Sequence, residues 1–476
     1  MTVPVARPAT VEENPVQLHR VMGFRDLLLF YLVTGFTVRW IGSAAAAGPS
    51  AVVIWLIACL AFYLPLMFTV LELSSRYPDE GGCYVWSKRA FGDFAGFITG
   101  WTYWSSNLPY FPSLFYFAAA AALFIGGPER RQLAHSPLYF IVFSLLALAL
   151  VSGLNIRGLR VGKWLHNLGA LGVWIPGIFL LGLGLVGWLR LGSATSFTAA
   201  GLLPSTRLKD IIFWSTIAFS LSGLESASML GGEIQNPRRN IPRALLIAGV
   251  LITTLYILST VAMLVALPQR EILSLDGFMT AIETASGKFG LGPVTPVIAA
   301  LVVLGGLGQA GAWFAAGGRL PFVAGIDRCL PAAFGRLHPR YGSPHVSLIS
   351  QAGIAGLFIL LGQAGTTVKG AYDVLVSMSI IAYFIPYLFM FASLIRLQRE
   401  PASPAVIRVP GGVPAAYAIA SVGFATTALS ICLALVPADD EPNKALAVTK
   451  VAGLTFLLLA AGAAIYFSAL RTSRSN

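Results

Sequence analysis

Charge is scarce in this sequence. Asp, Glu, Lys and Arg make up 11% of it, where a soluble domain carries about 25%. Hydrophobic residues make up 56%, and the mean hydropathy is +0.76. That shortage argues against a set of about three soluble domains, which the length alone would suggest. Cysteine is scarce too: Cys59, Cys83, Cys329 and Cys432 show neither zinc-ligand spacing nor a disulfide framework. The five histidines, His19, His135, His166, His338 and His345, fall in tails, loops or span ends. Neither an HExxH nor a GxSxG pattern occurs, so nothing points to an enzyme, a metal site or a cofactor. The first 24 residues lack the apolar core of about 7–15 residues that a cleaved signal peptide needs. They read as a polar tail. No long soluble segment accompanies the apolar part, which disfavours a sensor. The apolar runs are continuous rather than alternating, which excludes a β-barrel.

What is present is a series of apolar runs, several longer than the roughly 18 residues that cross a bilayer as a helix. The fold class expected is an all-α polytopic membrane protein with twelve transmembrane helices. They fall at 27–47, 51–73, 93–124, 137–154, 166–189, 210–232, 243–267, 293–317, 345–362, 371–395, 413–436 and 447–470. The net charge is +12, but Lys and Arg are scattered through short loops. They form no basic face of the kind a nucleic acid needs. Most lie on the face shared with the termini, among them Arg76, Lys88, Arg89, Arg157, Arg238 and Arg336. The positive-inside bias therefore puts both termini in the cytoplasm, across the cell membrane. The 49 glycines suit close helix packing in a bilayer, and "GLGLVGWL" at 182–189 reads as packing.

Two runs contradict their own hydropathy. The first carries Thr34-Gly35-Phe36-Thr37 at its middle, and the sixth carries Ser220-Leu221-Ser222-Gly223 followed by Glu225. Gly costs a helix about 1 kcal/mol relative to Ala, and Ser and Thr compete for backbone partners. If the chain is two five-helix halves of opposite orientation, these breaks occupy matching places, which points to a transporter binding site. Lipid cannot satisfy the freed peptide groups, whereas a polar ligand can. A half-helix N-terminus favours a carboxylate, and freed carbonyls accept from an ammonium. An α-amino acid matches both.

Three stretches carry a resemblance. "FSLSGLESASMLGGEIQNPRRNIPRAL" (219–245), "ELSSRYPDEGGCYVWSKRAFGDFAGFITGW" (72–101) and "DRCLPAAFGRLHPRYGSPHVSL" (327–348) resemble amino acid–polyamine–organocation (APC) superfamily permeases. The resemblance implies a LeuT-type inverted repeat of five plus five helices with two more helices. Mapped here, it implies a cytoplasmic tail (1–24) and a transport core (25–395) of two repeats (27–190 and 210–395). Helices eleven and twelve follow in 396–476. It places the unwound part of helix one at Thr34, Gly35 and Phe36, which with Val33 are expected substrate contacts, although the family's glycine-rich pattern is diluted. In helix six it places substrate contacts at Phe219, Ser220, Ser222 and Gly223, with Phe219 where the family often has an aromatic gate. Sodium-coupled relatives use helix-eight hydroxyls, and "AWFAAGGRL" (312–320) has none. Some proton-coupled relatives use a helix-five Lys, and "NLGALGVWIPG" (167–177) has none.

That leaves Glu225 as a candidate proton carrier or a static cap, since a carboxylate at this depth is costly unless it works or is satisfied. Arg39 is the other odd charge, where the family usually has an apolar residue. It can pair with an acid such as Glu225, attract a substrate carboxylate, or reach the outer vestibule. Weaker pocket candidates are Asn107, Tyr110, Trp313 and Ser377. The function expected is amino acid transport by alternating access, through exchange or proton coupling rather than sodium coupling. A polyamine or other organic-cation permease is the alternative. The expected partners are a small-molecule substrate, protons and the lipid bilayer.

Overall fold

The computed structural model describes residues 23–77, 81–204, 213–223, 225–226, 234–272, 275–318, 321, 330–437 and 441–475. Among them the regular secondary structure is helical. The first expected span is two helices, α1 (Phe24–Gly35) and α2 (Arg39–Ala45), and a tight turn over 46–49 leads into the second. The second span runs as α3 (Ser50–Ala58), a π-helical turn (Cys59–Tyr63) and α4 (Leu64–Arg76). The π turn ends beside Pro65, whose ring nitrogen has no N–H to give the helical ladder. A short α5 (Cys83–Phe91) precedes α6 (Asp93–Ala122), α7 (Pro137–Ile156) and α8 (Leu159–Leu191).

After a single turn α9 (Ala199–Leu202), the sixth span begins as α10 (Phe213–Ser220) and stops. Then come α11 (Pro237–Ala266), a short α12 (Gly277–Lys288), α13 (Thr295–Gly317), α14 (His345–Gln363), α15 (Val368–Leu397), α16 (Gly412–Ala434) and α17 (Lys444–Ser475). Among the described residues nine helices are long and apolar enough to cross a membrane. The three expected spans outside that set are the first, third and sixth. Two of these are broken, and the third, α6, buries Thr99, Thr102, Ser105, Ser106, Asn107 and Ser113.

Glycine sets how closely some helices meet. On α8 and α13, a Cβ on Gly169 would lie 2.5 Å from the Gly308 Cα, and one on Gly172 would lie 2.3 Å from the Leu301 carbonyl oxygen. Backbones touch there, as small residues allow. In the 182–189 stretch only part of the packing expectation holds. Gly184 packs so closely on Ala262 that an added Cβ would clash with it, while Gly182 faces open space.

At the end of α4 a buried ion pair ties the bundle to the segment after α15. Arg76 Nη2 donates to Glu72 Oε1 at 2.8 Å, with side chains 5% and 1% exposed. Glu72 also accepts from Gln398 Nε2 at 2.6 Å and from the Val409 N–H at 3.0 Å. A buried pair needs such extra partners to offset its desolvation. Cys59, Cys83 and Cys432 are free thiols, and Cys329 lies outside the described residues.

Candidate functional site: two broken helices around an aromatic cavity

The two breaks meet. α1 ends at Gly35, and Phe36 is extended, with φ −109° and ψ 126°. α10 ends at Ser220, and Gly223 takes φ +101°, a conformation that glycine reaches without a steric cost. Between the breaks lies a cavity with about 440 Å3 of empty space. The first break and α2 contribute Thr34, Gly35, Thr37 and Trp40. α6 contributes Ser106, Asn107 and Tyr110, and the sixth span Phe219, Ser220 and Ser222. Trp313 of α13 and Tyr383 of α15 complete the lining. A second space of about 220 Å3 shares Thr34, Gly35, Ser220 and Ser222 with the first and continues past Tyr31, Tyr63 and Ile252. The paired breaks thus form a partition between two chambers.

The wall of the larger chamber is aromatic. Phe219 stands edge-on to Trp40 at 5.5 Å and to Tyr383 at 5.5 Å. Tyr110 and Trp313 meet at 6.4 Å, and Trp313 meets Tyr383 at 6.4 Å. Edge-to-face contacts at such distances are favourable for rings, and ring faces attract cations.

Each break is closed by a tyrosine. Tyr256 of α11 donates its hydroxyl to the Gly35 carbonyl at 3.0 Å and accepts from the Thr37 N–H at 3.1 Å. Its ring stacks on Trp55 at 4.5 Å, and Trp55 is fixed by a bond from Nε1 to Thr260 Oγ1 at 3.1 Å. Tyr387 of α15 accepts from the Gly223 N–H at 3.0 Å and donates to Glu225 Oε2 at 2.5 Å. Some of the peptide groups freed by unwinding are therefore held by phenols rather than left for a ligand, as burial of a polar group requires.

Glu225 is fully buried. Besides Tyr387, Tyr383 donates to its Oε1 at 2.6 Å, and Tyr103 of α6 donates to the same oxygen at 3.0 Å. Glu225 does not line the cavity, but Tyr383 does, so one phenol stands between the carboxylate and the chamber. The hydrogen-bond inventory gives this cage two states. A carboxylate only accepts, and three hydroxyl donors suit it. A carboxylic acid must itself donate, so one of the three hydroxyls has to turn away.

Arg39 is also fully buried. The pairing with Glu225 that the sequence allowed does not form. Arg39 Nη1 donates to Ser113 Oγ at 3.0 Å, and the guanidinium carbon lies 3.9 Å from the Trp40 ring centre and 4.9 Å from that of Tyr110. Among the described residues no carboxylate is within ion-pair distance of it. The cause is placement: Arg39 opens α2 beyond the first break, whereas Glu225 is enclosed by tyrosines of α6 and α15.

Of the other expected positions, Thr34, Gly35, Asn107, Tyr110, Phe219, Ser220, Ser222 and Trp313 come together on the cavity wall. Phe36 instead turns into the core against Tyr256 and Trp174, at 5.0 Å and 5.8 Å. Gly223 borders the smaller chamber. Ser377, half-buried on α15, lines neither chamber. Val33 is helical, and its side chain lies outside the described residues. Sequence reasoning missed Tyr103, Tyr256, Tyr383 and Tyr387. A signal existed for two of them, since Tyr383 and Tyr387 stand four apart on one helical face, as i,i+4 residues do.

Many apolar helices surrounding an aromatic chamber between two interrupted ones define a membrane protein built to admit a small solute. The chain matches the family model for amino acid permeases over residues 22–463 and belongs to that family, within the APC superfamily. It is a multi-pass membrane transporter. An uncharacterised transporter of Legionella pneumophila is 28% identical over 433 residues, covering 89% of this chain and 91% of the relative. A probable agmatine/putrescine antiporter of Lactococcus lactis is 25% identical over 396 residues, covering 81% of each.

Proposed function

We propose that this protein is a secondary active transporter of amino acids, working by alternating access across the cytoplasmic membrane. Its cargo binds in the chamber between the two broken helices, and exchange or proton coupling, rather than sodium, drives it. The observation that carries the reading is the chamber itself, at the junction of two breaks and backed by a caged carboxylate. The proposal includes the twelve-helix, five-plus-five arrangement, with repeats over 27–190 and 210–395, and both termini in the cytoplasm. Glu225 is the proton group. On protonation it donates to one of its three phenols, and a turned Tyr383 hydroxyl then points its donor at the cargo. Ionised, it draws that donor back and leaves an acceptor facing an ammonium.

A second reading, a polyamine permease, is favoured by the likeness to the Lactococcus agmatine/putrescine antiporter and by the aromatic wall. Uptake by proteoliposomes of labelled amino acids and amines, with and without a pH gradient and with sodium replaced by choline, tests both. Amino acid uptake that survives sodium removal and responds to pH is expected. Strict sodium dependence overturns the coupling, and uptake of amines alone overturns the cargo.

A further inference from the structure

Arg39 is a buried cation with most of its donors idle. Only Nη1 has a hydrogen-bond partner, Ser113; Nε and Nη2 are buried with none among the described residues. Leaving charged donors unpaired away from water is among the costlier things a fold can do. Cation–π contact with Trp40 and Tyr110 offsets part of that cost but supplies no negative charge. Both rings also line the cargo chamber, while Arg39 does not, so a single aromatic layer separates the guanidinium from the space that a ligand fills. On another side of the same chamber, Tyr383 separates the cargo from Glu225. The chamber is therefore flanked by a cation behind Trp40 and Tyr110 and by an acidic group behind Tyr383. In a low-dielectric interior both fields reach a ligand with little screening.

We propose that Arg39 sets the cargo class: its unmatched guanidinium supplies the counter-charge for a cargo carboxylate, so the chamber takes carboxylate-bearing amines and rejects amines that lack one. This rests on the transporter reading above and deepens it. A zwitterion lies with its carboxylate toward Trp40 and its ammonium toward Tyr383. A diamine must instead set one ammonium beside rings whose faces a guanidinium already occupies, with no anion to offset the repulsion. Substrate discrimination of this kind works as much by penalising the wrong ligand as by attracting the right one.

The test is a paired binding series on the full-length protein in lipid nanodiscs, read by thermal shift and by displacement. Each amino acid is set against its own decarboxylation product: arginine against agmatine, ornithine against putrescine, and leucine against isopentylamine. In the wild type, the parent of any pair that binds is expected to bind more tightly than its amine. Arg39→Gln is expected to weaken the parent by roughly 30-fold, the scale for losing a buried charge partner, and to leave the amine unchanged or improved. Arg39→Lys keeps the charge without the fork and should recover part of the preference, which a merely structural arginine would not produce. Amines binding the wild type as tightly as their parents, or Arg39→Gln weakening both members equally, overturns the proposal while leaving transport intact. A wild-type protein that binds and transports no compound of the series removes the amino acid cargo reading and this inference together. Should Arg39→Gln fail to fold, Arg39→Met takes its place: a parent-to-amine ratio equal to that of the wild type overturns the assignment.

Discussion

The two breaks are closed by the same chemistry to different ends. At the first, the Tyr256 hydroxyl donates to one peptide group and accepts from another, so the staple is neutral and complete in itself. At the second, the Tyr387 hydroxyl accepts from the Gly223 N–H but donates to a carboxylate. Its hydrogen-bond state therefore depends on whether Glu225 holds a proton. Closing a gap in a helix needs only a hydroxyl at the right place; making the gap respond to protons needs that hydroxyl to end on an ionisable group. With Glu225 as the proposed proton group, the second break is the switch and the first is not.

The largest effect that can break this comparison is at Glu225. Glu225→Gln keeps an acceptor oxygen but removes titration and places an amide donor against phenols already bonded. Proton-dependent uptake should fall by roughly 30-fold or more, about 2 kcal/mol on the transport barrier. The residual uptake should show no pH dependence in the proteoliposome assay. Retained pH dependence would mean that the second break is no more a switch than the first.

Next come the two phenols themselves. Tyr387→Phe removes the acceptor for the Gly223 N–H and a donor to Glu225, two buried bonds worth about 1–3 kcal/mol together. It should lower the melting temperature in detergent and also displace the pH–uptake curve. Tyr256→Phe removes two bonds as well and should cost a similar amount of stability, but the pH–uptake curve should keep its shape. A displaced curve in both variants would erase the distinction between the breaks. Smaller again is Gly223→Ala. The space is available, since an added Cβ would come no closer than 3.8 Å to Trp313. The loss comes from φ +101°, a backbone strain of about 1–3 kcal/mol, and circular dichroism melts should detect it.

How much of this was legible beforehand differs from residue to residue. Nine expected spans show as long apolar helices because a bilayer demands continuous hydropathy, and that demand is written directly in composition. Gly35 and Gly223 were legible because each interrupts such a run. Asn107 and Tyr110 were visible as polar and aromatic residues inside a buried span, but which face of α6 they occupy is decided by packing. Tyr256 and Tyr387 were invisible as staples, since their bonding partners are peptide groups far off in sequence. Ser377 was a plausible polar residue, one and a half turns before Tyr383 on the wrong part of the face. The short α5 and α12 have no bilayer run to announce them.

A half-exposed contact offers the same bond with less burial and so gauges what burial contributes. Glu400, between α15 and α16, accepts from the Tyr77 hydroxyl at 2.7 Å and from Arg89 Nε at 3.0 Å, with its side chain 35% exposed. The Tyr77 bond first, and Arg89 beside it, hold its carboxyl below the usual carboxylate range. A depressed native value means that the unfolded state binds the proton more readily. The contribution is therefore in place above the unfolded value and is lost as pH falls through the native one. Because water screens this contact, it is worth about 0.5 kcal/mol or less at neutral pH. Glu400→Gln should lower the melting temperature slightly at pH 7 and match the wild type in acid below the usual carboxylate range. Tyr77→Phe should cost far less than Tyr387→Phe; an equal cost would mean that burial of Glu225 adds nothing to its cage.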